Sequence, residues 1–135
     1  MKIYFGTISP TGEKSVTVRT LSKRDQQVLS DEPLHHVSYH SPDGFEWGYG
    51  GGGPADLALA ILSDHLEEEH GRVSQKDIYR PVNGLLHPAL KLHQKFKSAF
   101  VARFARDEVW VLNSEHIHSW LVGLALAQRA MGGEE

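Results

Sequence analysis

The stretch Gly44-Phe45-Glu46-Trp47-Gly48-Tyr49-Gly50-Gly51-Gly52-Gly53-Pro54-Ala55-Asp56-Leu57-Ala58-Leu59-Ala60-Ile61-Leu62 changes character at its middle. Spaced aromatic residues precede four glycines, and a nearly unbroken apolar run follows them. The glycines have no side chains to pack. Pro54 suits the first position of a helix, because the N–H it lacks would go unbonded there anyway. The reading therefore opens a helix at Pro54 and carries it from Ala55 to Leu66. Leu57, Ala58, Leu59, Ile61 and Leu62 cover almost the whole circumference, the pattern of a helix buried on all sides. Asp64 to His70 are polar, and this far end is expected to emerge into water.

Working toward the N-terminus, Val37 and Tyr39, the turn Ser41-Pro42-Asp43-Gly44, then Phe45 and Trp47 read as a β-hairpin. Lys2–Ile8, the turn Ser9-Pro10-Thr11-Gly12 and the alternating Val16, Val18 and Thr20 read as another. Between them Ser22 is expected to cap a short helix through Leu29, ended by Asp31, Glu32 and Pro33. Toward the C-terminus, Gly71, Pro81, Asn83-Gly84 and Pro88 mark an irregular connection, with Ser74 and Asp77 as a capping pair for one short helical turn. Ala89–Arg106 reads as a helix with Leu92, Phe96, Ala99, Phe100 and Phe104 on one side and Lys91, Lys95 and Arg106 on the other. Val109–Leu112 is a short strand. Ser114 then caps a last helix bearing Ile117, Trp120, Leu121, Leu124 and Leu126, and residues 132–135 are a frayed tail. The expected fold is α+β: a small antiparallel sheet of two hairpins plus a late strand, packed on a central buried helix and two further helices. One domain over residues 1–131 accommodates it.

With 135 residues, 40% of them apolar, the chain is long enough to build one core without a disulfide or structural metal. Cysteine is absent, which removes disulfides, thiolate zinc sites and thiol nucleophiles and fits a reducing cytoplasm. The opening MKIYFGTISPTGEK does not read as a secretory signal, and no stretch is long and apolar enough to span a bilayer. A cytoplasmic protein without membrane contact is expected. The formal charge of −3 is spread over interspersed acids and bases, which argues against a chain-wide field for nucleic acid. Nine histidines outnumber that charge, so its sign reverses once they are protonated.

Ser41-Pro42, Gly44–Gly51, Gly53-Pro54-Ala55 and Leu57-Ala58-Leu59-Ala60 together resemble the hallmark of a family of unknown function (6166 type) of short phage, plasmid and bacterial proteins. Phe96-Lys97, Val101-Ala102-Arg103-Phe104, Trp110-x-Leu112 and Ile117-x-x-Trp120-Leu121 continue the resemblance, and Phe45, Trp47, Tyr49, Pro54, Trp110 and Trp120 are its signature residues. It implies a small α+β domain of a mobile element and names no catalytic residue. Two departures stand out. The family often carries serine where this chain has Gly52, so Gly52→Ser is expected to be tolerated. The connection from His70 to His93 is longer here, and its Gly71–Pro88 part is where partner specificity is expected.

The glycine run is the sharpest candidate site, because free amides at a helix N-terminus can hold a phosphate or carboxylate at Gly50, Gly51, Gly52 and Gly53. Against this, no lysine followed by Ser or Thr opens the helix, no parallel βαβ unit surrounds it, and Asp56 would repel an anion. The glycines are therefore read as serving tight backbone geometry. Lys91, Lys95 and Arg106 offer a basic helix face for nucleic acid, although the aromatic residues beside them share a core stripe. His65 with Glu69, and His116 with His118, make no recognised zinc spacing, so no metal and no cofactor is expected. No nucleophile with a matched base is visible, which weighs against an enzyme without excluding one. The leading expectation is a non-enzymatic binding protein of a mobile element that occludes a host protein, with a defence component as target. A small-ligand or nucleotide binder using the glycine run and a nucleic-acid accessory protein are the alternatives. The oligomeric state is left open.

Overall fold

A computed structural model describes residues 1–79 and 86–131; the expectations for Pro81, Asn83-Gly84 and the 132–135 tail lie outside these residues. The α+β class holds: one four-stranded antiparallel sheet in the order β3-β2-β1-β4, packed on helices. Lys2–Ile8 (β1) and Lys14–Leu21 (β2) form the expected first hairpin, closed at the turn by Gly12, whose φ is +90°. The inward side chains are Tyr4, Val16 and Val18, whereas Phe5 lies under the Arg19 guanidinium at 5.3 Å.

The helix expected from Ser22 to Leu29 is not formed. The Gln26 N–H donates to the Ser22 carbonyl, Gln26 takes φ +62°, and Val28–Pro33 (β3) returns along β2. The residues read as a stop, Asp31, Glu32 and Pro33, belong to an exposed edge strand, where charge and proline are tolerated because one side of the ladder faces water. Arg19 holds Asp31 across that pair through two bonds of 2.7 and 2.9 Å.

The second hairpin, expected over Val37 to Trp47, is also absent. Its Ser41–Gly44 turn exists, with Gly44 at φ +106°, but the amides on either side are taken elsewhere. Those of Tyr39, His40 and Ser41 donate to the Asp56 carboxylate, and that of Gly48 donates to the Val101 carbonyl. A segment whose donors are committed in this way has none left for a ladder.

Gly52–His65 (α1) is the central helix, and every residue from Gly53 to Asp64 is buried. It begins two residues before Pro54, which sits in the first turn, where a missing N–H still costs nothing. Asp64 does not emerge into water. It accepts from the Tyr4 hydroxyl at 2.8 Å and from Lys2 at 3.0 Å, and it faces Arg72 at 3.4 Å, pinning β1 to the helix end. Burial, then the Asp64 charge, push the Tyr4 hydroxyl pKa far upward, so this bond keeps its proton.

Two short helices, Glu67–His70 (α2) and Gln75–Tyr79 (α3), follow, and the expected Ser74/Asp77 pair forms, with the Ser74 amide donating to Asp77 at 2.7 Å. Pro88–Ala99 (α4) packs on α1 and stops seven residues before Arg106. A single tight helical turn at Val101–Arg103 then carries Val101 into the core. Trp110–Asn113 (β4) pairs with β1, and Ser114–Ala130 (α5) leaves the sheet directly. Its cap is Asn113, which accepts from the Glu115 and His116 amides. Ser114 instead accepts from the Lys2 amide at 3.0 Å.

Candidate functional site

Asp56 is the one charged residue between Gly53 and Leu62, and its side chain is fully buried. A carboxylate in that position must be compensated. It accepts from the Tyr39, His40 and Ser41 amides at 3.2, 2.8 and 3.0 Å, and His36 Nε2 donates to it at 2.9 Å. A loop of successive N–H groups thus closes around an anion supplied by the protein itself. The expectation that Asp56 repels an external anion gives way to a stronger statement: it holds the preceding loop on α1.

The consequence is the placement of His40. Its Nε2 lies 3.0 Å from Nε2 of His93, which α4 presents from the opposite side, and the Tyr39 ring lies against it at 4.2 Å. His93 is 5% exposed, and its Nδ1 is 2.8 Å from the Leu90 carbonyl, which can only accept. That bond puts the His93 proton on Nδ1 and leaves Nε2 as an acceptor, so His40 Nε2 donates to it. Burial, as the largest cause, lowers the His93 pKa, with the neighbouring His40 adding to the effect. The Gln94 amide stands 3.5 Å from the same His40 nitrogen.

The glycines contribute packing rather than left-handed backbone, for none of Gly50 to Gly53 has positive φ. A Cβ on Gly52 would lie 2.8 Å from the His40 carbonyl oxygen, and one on Gly53 would lie 2.8 Å from Glu46 Cβ. These residues let the loop lie directly on the helix start. Any side chain at residue 52, serine included, needs the His40 backbone to shift, which weighs against the expectation that Gly52→Ser is tolerated. The glycine that the turn itself demands is Gly48, with φ +86° and the Arg106 backbone against it.

The signature aromatics serve this architecture. Phe45 packs against His36 at 4.6 Å. Trp47 is fully buried, donates to the Glu108 carbonyl at 2.9 Å and meets Trp110 edge-on at 5.7 Å. Tyr49 carries Arg106 over its ring at 4.4 Å, so Arg106 is not part of the basic helix face expected from the sequence. Lys91 and Lys95 remain exposed on α4. The described start of the longer connection is tied down: Val73 is buried, its amide donates to Ser63 at 2.8 Å, and the Gln75 side chain donates to the Ser38 carbonyl at 2.7 Å.

A second feature lies along α4, starting at Gln94. Helix α5 has a single buried residue, Ile117, while its Val122 and Leu126 are 43% and 56% exposed, and Met131 just past its end is 85% exposed. Where α5 meets α4, a groove of about 520 Å³ has Trp120, Leu124 and Ala99 in its lining together with Lys95 and Arg103, and among the described residues no acid lines it. Trp120 is anchored there edge-on against Phe96 and Phe100. Arg103 Nε donates to the Ser98 carbonyl at 3.1 Å, which fixes its guanidinium beside the groove.

Residues 4–123 match a family of unknown function, DUF6166. The chain belongs to that family. No curated protein and no solved structure matches it. The signature stretch of this family member thus has a structural role that can be stated: glycines and Asp56 dock a loop on α1 and set His40 opposite His93. His36, His40 and His93 were not singled out by sequence, and Asp56 was read only as repelling an anion. A lone acid inside an otherwise apolar helix was the available signal for Asp56, since it must find donors; nothing local marks His93. Among the described residues no group of three His, Cys, Asp or Glu is poised to hold a metal, and no helix is long and apolar enough to cross a membrane.

Proposed function

We propose that this protein is a non-enzymatic binding module whose contact surface is the groove between α4 and α5, and whose partner is a protein segment with apolar anchors and acidic flanks. The observation that carries the reading is the groove itself: an apolar floor at Trp120 and Leu124 beside the cations Lys95 and Arg103, with no acid among the described residues of its lining. Exposed apolar area of this kind next to one sign of charge is a feature of interaction surfaces. An apolar floor favours protein over nucleic acid, whose backbone would be met by cations alone. That the partner belongs to the host of a phage or plasmid, with a defence component as the target, rests on the family resemblance.

The test is capture from host lysate followed by titration of the retained protein against the wild type and Lys95→Glu/Arg103→Glu. Both positions are exposed, so the fold should survive, and binding should weaken by about tenfold or more. Equal binding by the charge-reversed variant, retention of nucleic acid alone, or burial of the groove in a dimer of this chain would overturn the proposal.

A further inference from the structure

We propose that His40 and His93 form an open binding site for a borderline divalent transition metal of the zinc type. Metal–imidazole bonds of about 2.0–2.1 Å place two nitrogens on one metal roughly 3.0–3.3 Å apart, the range between octahedral and tetrahedral angles. His40 Nε2 and His93 Nε2 are 3.0 Å apart. The two rings face each other through the same nitrogen, Nε2.

The orientation of His93 is set from behind. Its Nδ1–H is held by the Leu90 carbonyl at 2.8 Å, the arrangement that fixes the tautomer of a metal-binding histidine and leaves Nε2 with its lone pair. On the other side, the His40 backbone is clamped by the 2.8 Å bond from its amide to Asp56 and by close packing of its carbonyl on Gly52. Two elements far apart in sequence are thus locked so that their imidazoles converge. A metal takes the place of the proton that His40 donates to His93, and that proton moves to His40 Nδ1.

The donor set defines the ligand class. Two neutral imidazoles suit zinc, copper or nickel rather than calcium or magnesium, which require oxygen. Asp56 cannot complete the sphere, because its oxygens are engaged by three amides and His36. The Gln94 side chain stands 3.5 Å from His40 Nε2, and its amide oxygen becomes available by rotation about the last bond. The remaining positions fall to water or to an external ligand, as in sites that keep coordination open. Neither histidine lines the groove between α4 and α5, although Gln94 borders both places.

The experiment is titration of the full chain, stripped of metal, with zinc chloride near neutral pH, read by calorimetry and by the thermal midpoint. One zinc per chain should bind and raise the midpoint. His40→Ala, at an exposed position, should keep the metal-free midpoint within a few degrees and lose zinc affinity by about tenfold or more. His70→Ala, which removes an exposed histidine elsewhere, should bind zinc as the wild type does. If His93→Gln fails to fold, nitrogen NMR of the wild-type imidazoles replaces it, with Nε2 of two histidines expected to shift together on zinc addition. Equal zinc binding by wild type and His40→Ala, or no binding by the wild type at millimolar zinc, would overturn the assignment.

Discussion

Replacing Asp56 with alanine removes the acceptor of four hydrogen bonds at once: the Tyr39, His40 and Ser41 amides and the His36 imidazole. Bonds to a charged acceptor contribute about 1.5–3 kcal/mol each, and a donor left dry costs a similar amount. The sum is not reached, because Tyr39 and His40 lie at exposed positions and water recovers part of the loss. The expected destabilisation is about 3–5 kcal/mol, that of two or three donors left without their acceptor at about 1–3 kcal/mol each. That approaches the whole stability of a small domain, so the variant should be largely unfolded in mild urea. Asp56→Asn keeps the size and one acceptor but turns an NH₂ group toward donors, and it should cost about 2–4 kcal/mol. Local helix propensity acts in the opposite direction, since alanine is the better helix former. Urea denaturation followed by circular dichroism measures the effect, with amide exchange of residues 39–41 as a second probe. A loss below about 1 kcal/mol for Asp56→Ala would refute the account of the loop.

Gly48→Ala should destabilise by about 2–4 kcal/mol, because a side chain there meets both the positive φ and the Arg106 backbone, 2.7 Å away at its nitrogen. Gly50→Ala meets nothing within 4 Å and should change the melting temperature little; equal losses at the two positions would contradict the packing described. His65 provides a pH test. Burial foremost, then His118 and Lys2, lower its pKa below the ordinary histidine value, so the unfolded chain takes up the proton more readily than the folded one. Its contribution is present above about pH 6.5, the unfolded value, and is lost as pH falls through the folded one. His65→Gln should therefore flatten the decline of unfolding free energy on acidification in urea titrations, and an unchanged slope would remove His65 as a cause.

Local chemistry determined the first hairpin, the all-round burial of the central helix, the late strand and the last helix, because each follows from turn residues and side-chain periodicity within its own window. The same rules failed where distant partners claimed the backbone. Val37 to Trp47 has the alternation and the turn of a hairpin, yet its amides are taken by Asp56 and Val101. Asp31, Glu32 and Pro33 have the chemistry of a stop, yet an edge beside β2 accepts them as a strand. The polar end of α1 looked like a helix leaving the core, yet Tyr4, Lys2 and Arg72 converge on Asp64 there. The candidate site belongs wholly to this second kind of information. His40 and His93 are 53 residues apart, and no periodicity links them. Only the packing of loop, α1 and α4 brings their nitrogens together, because a buried carboxylate must collect donors from whatever chain passes over it.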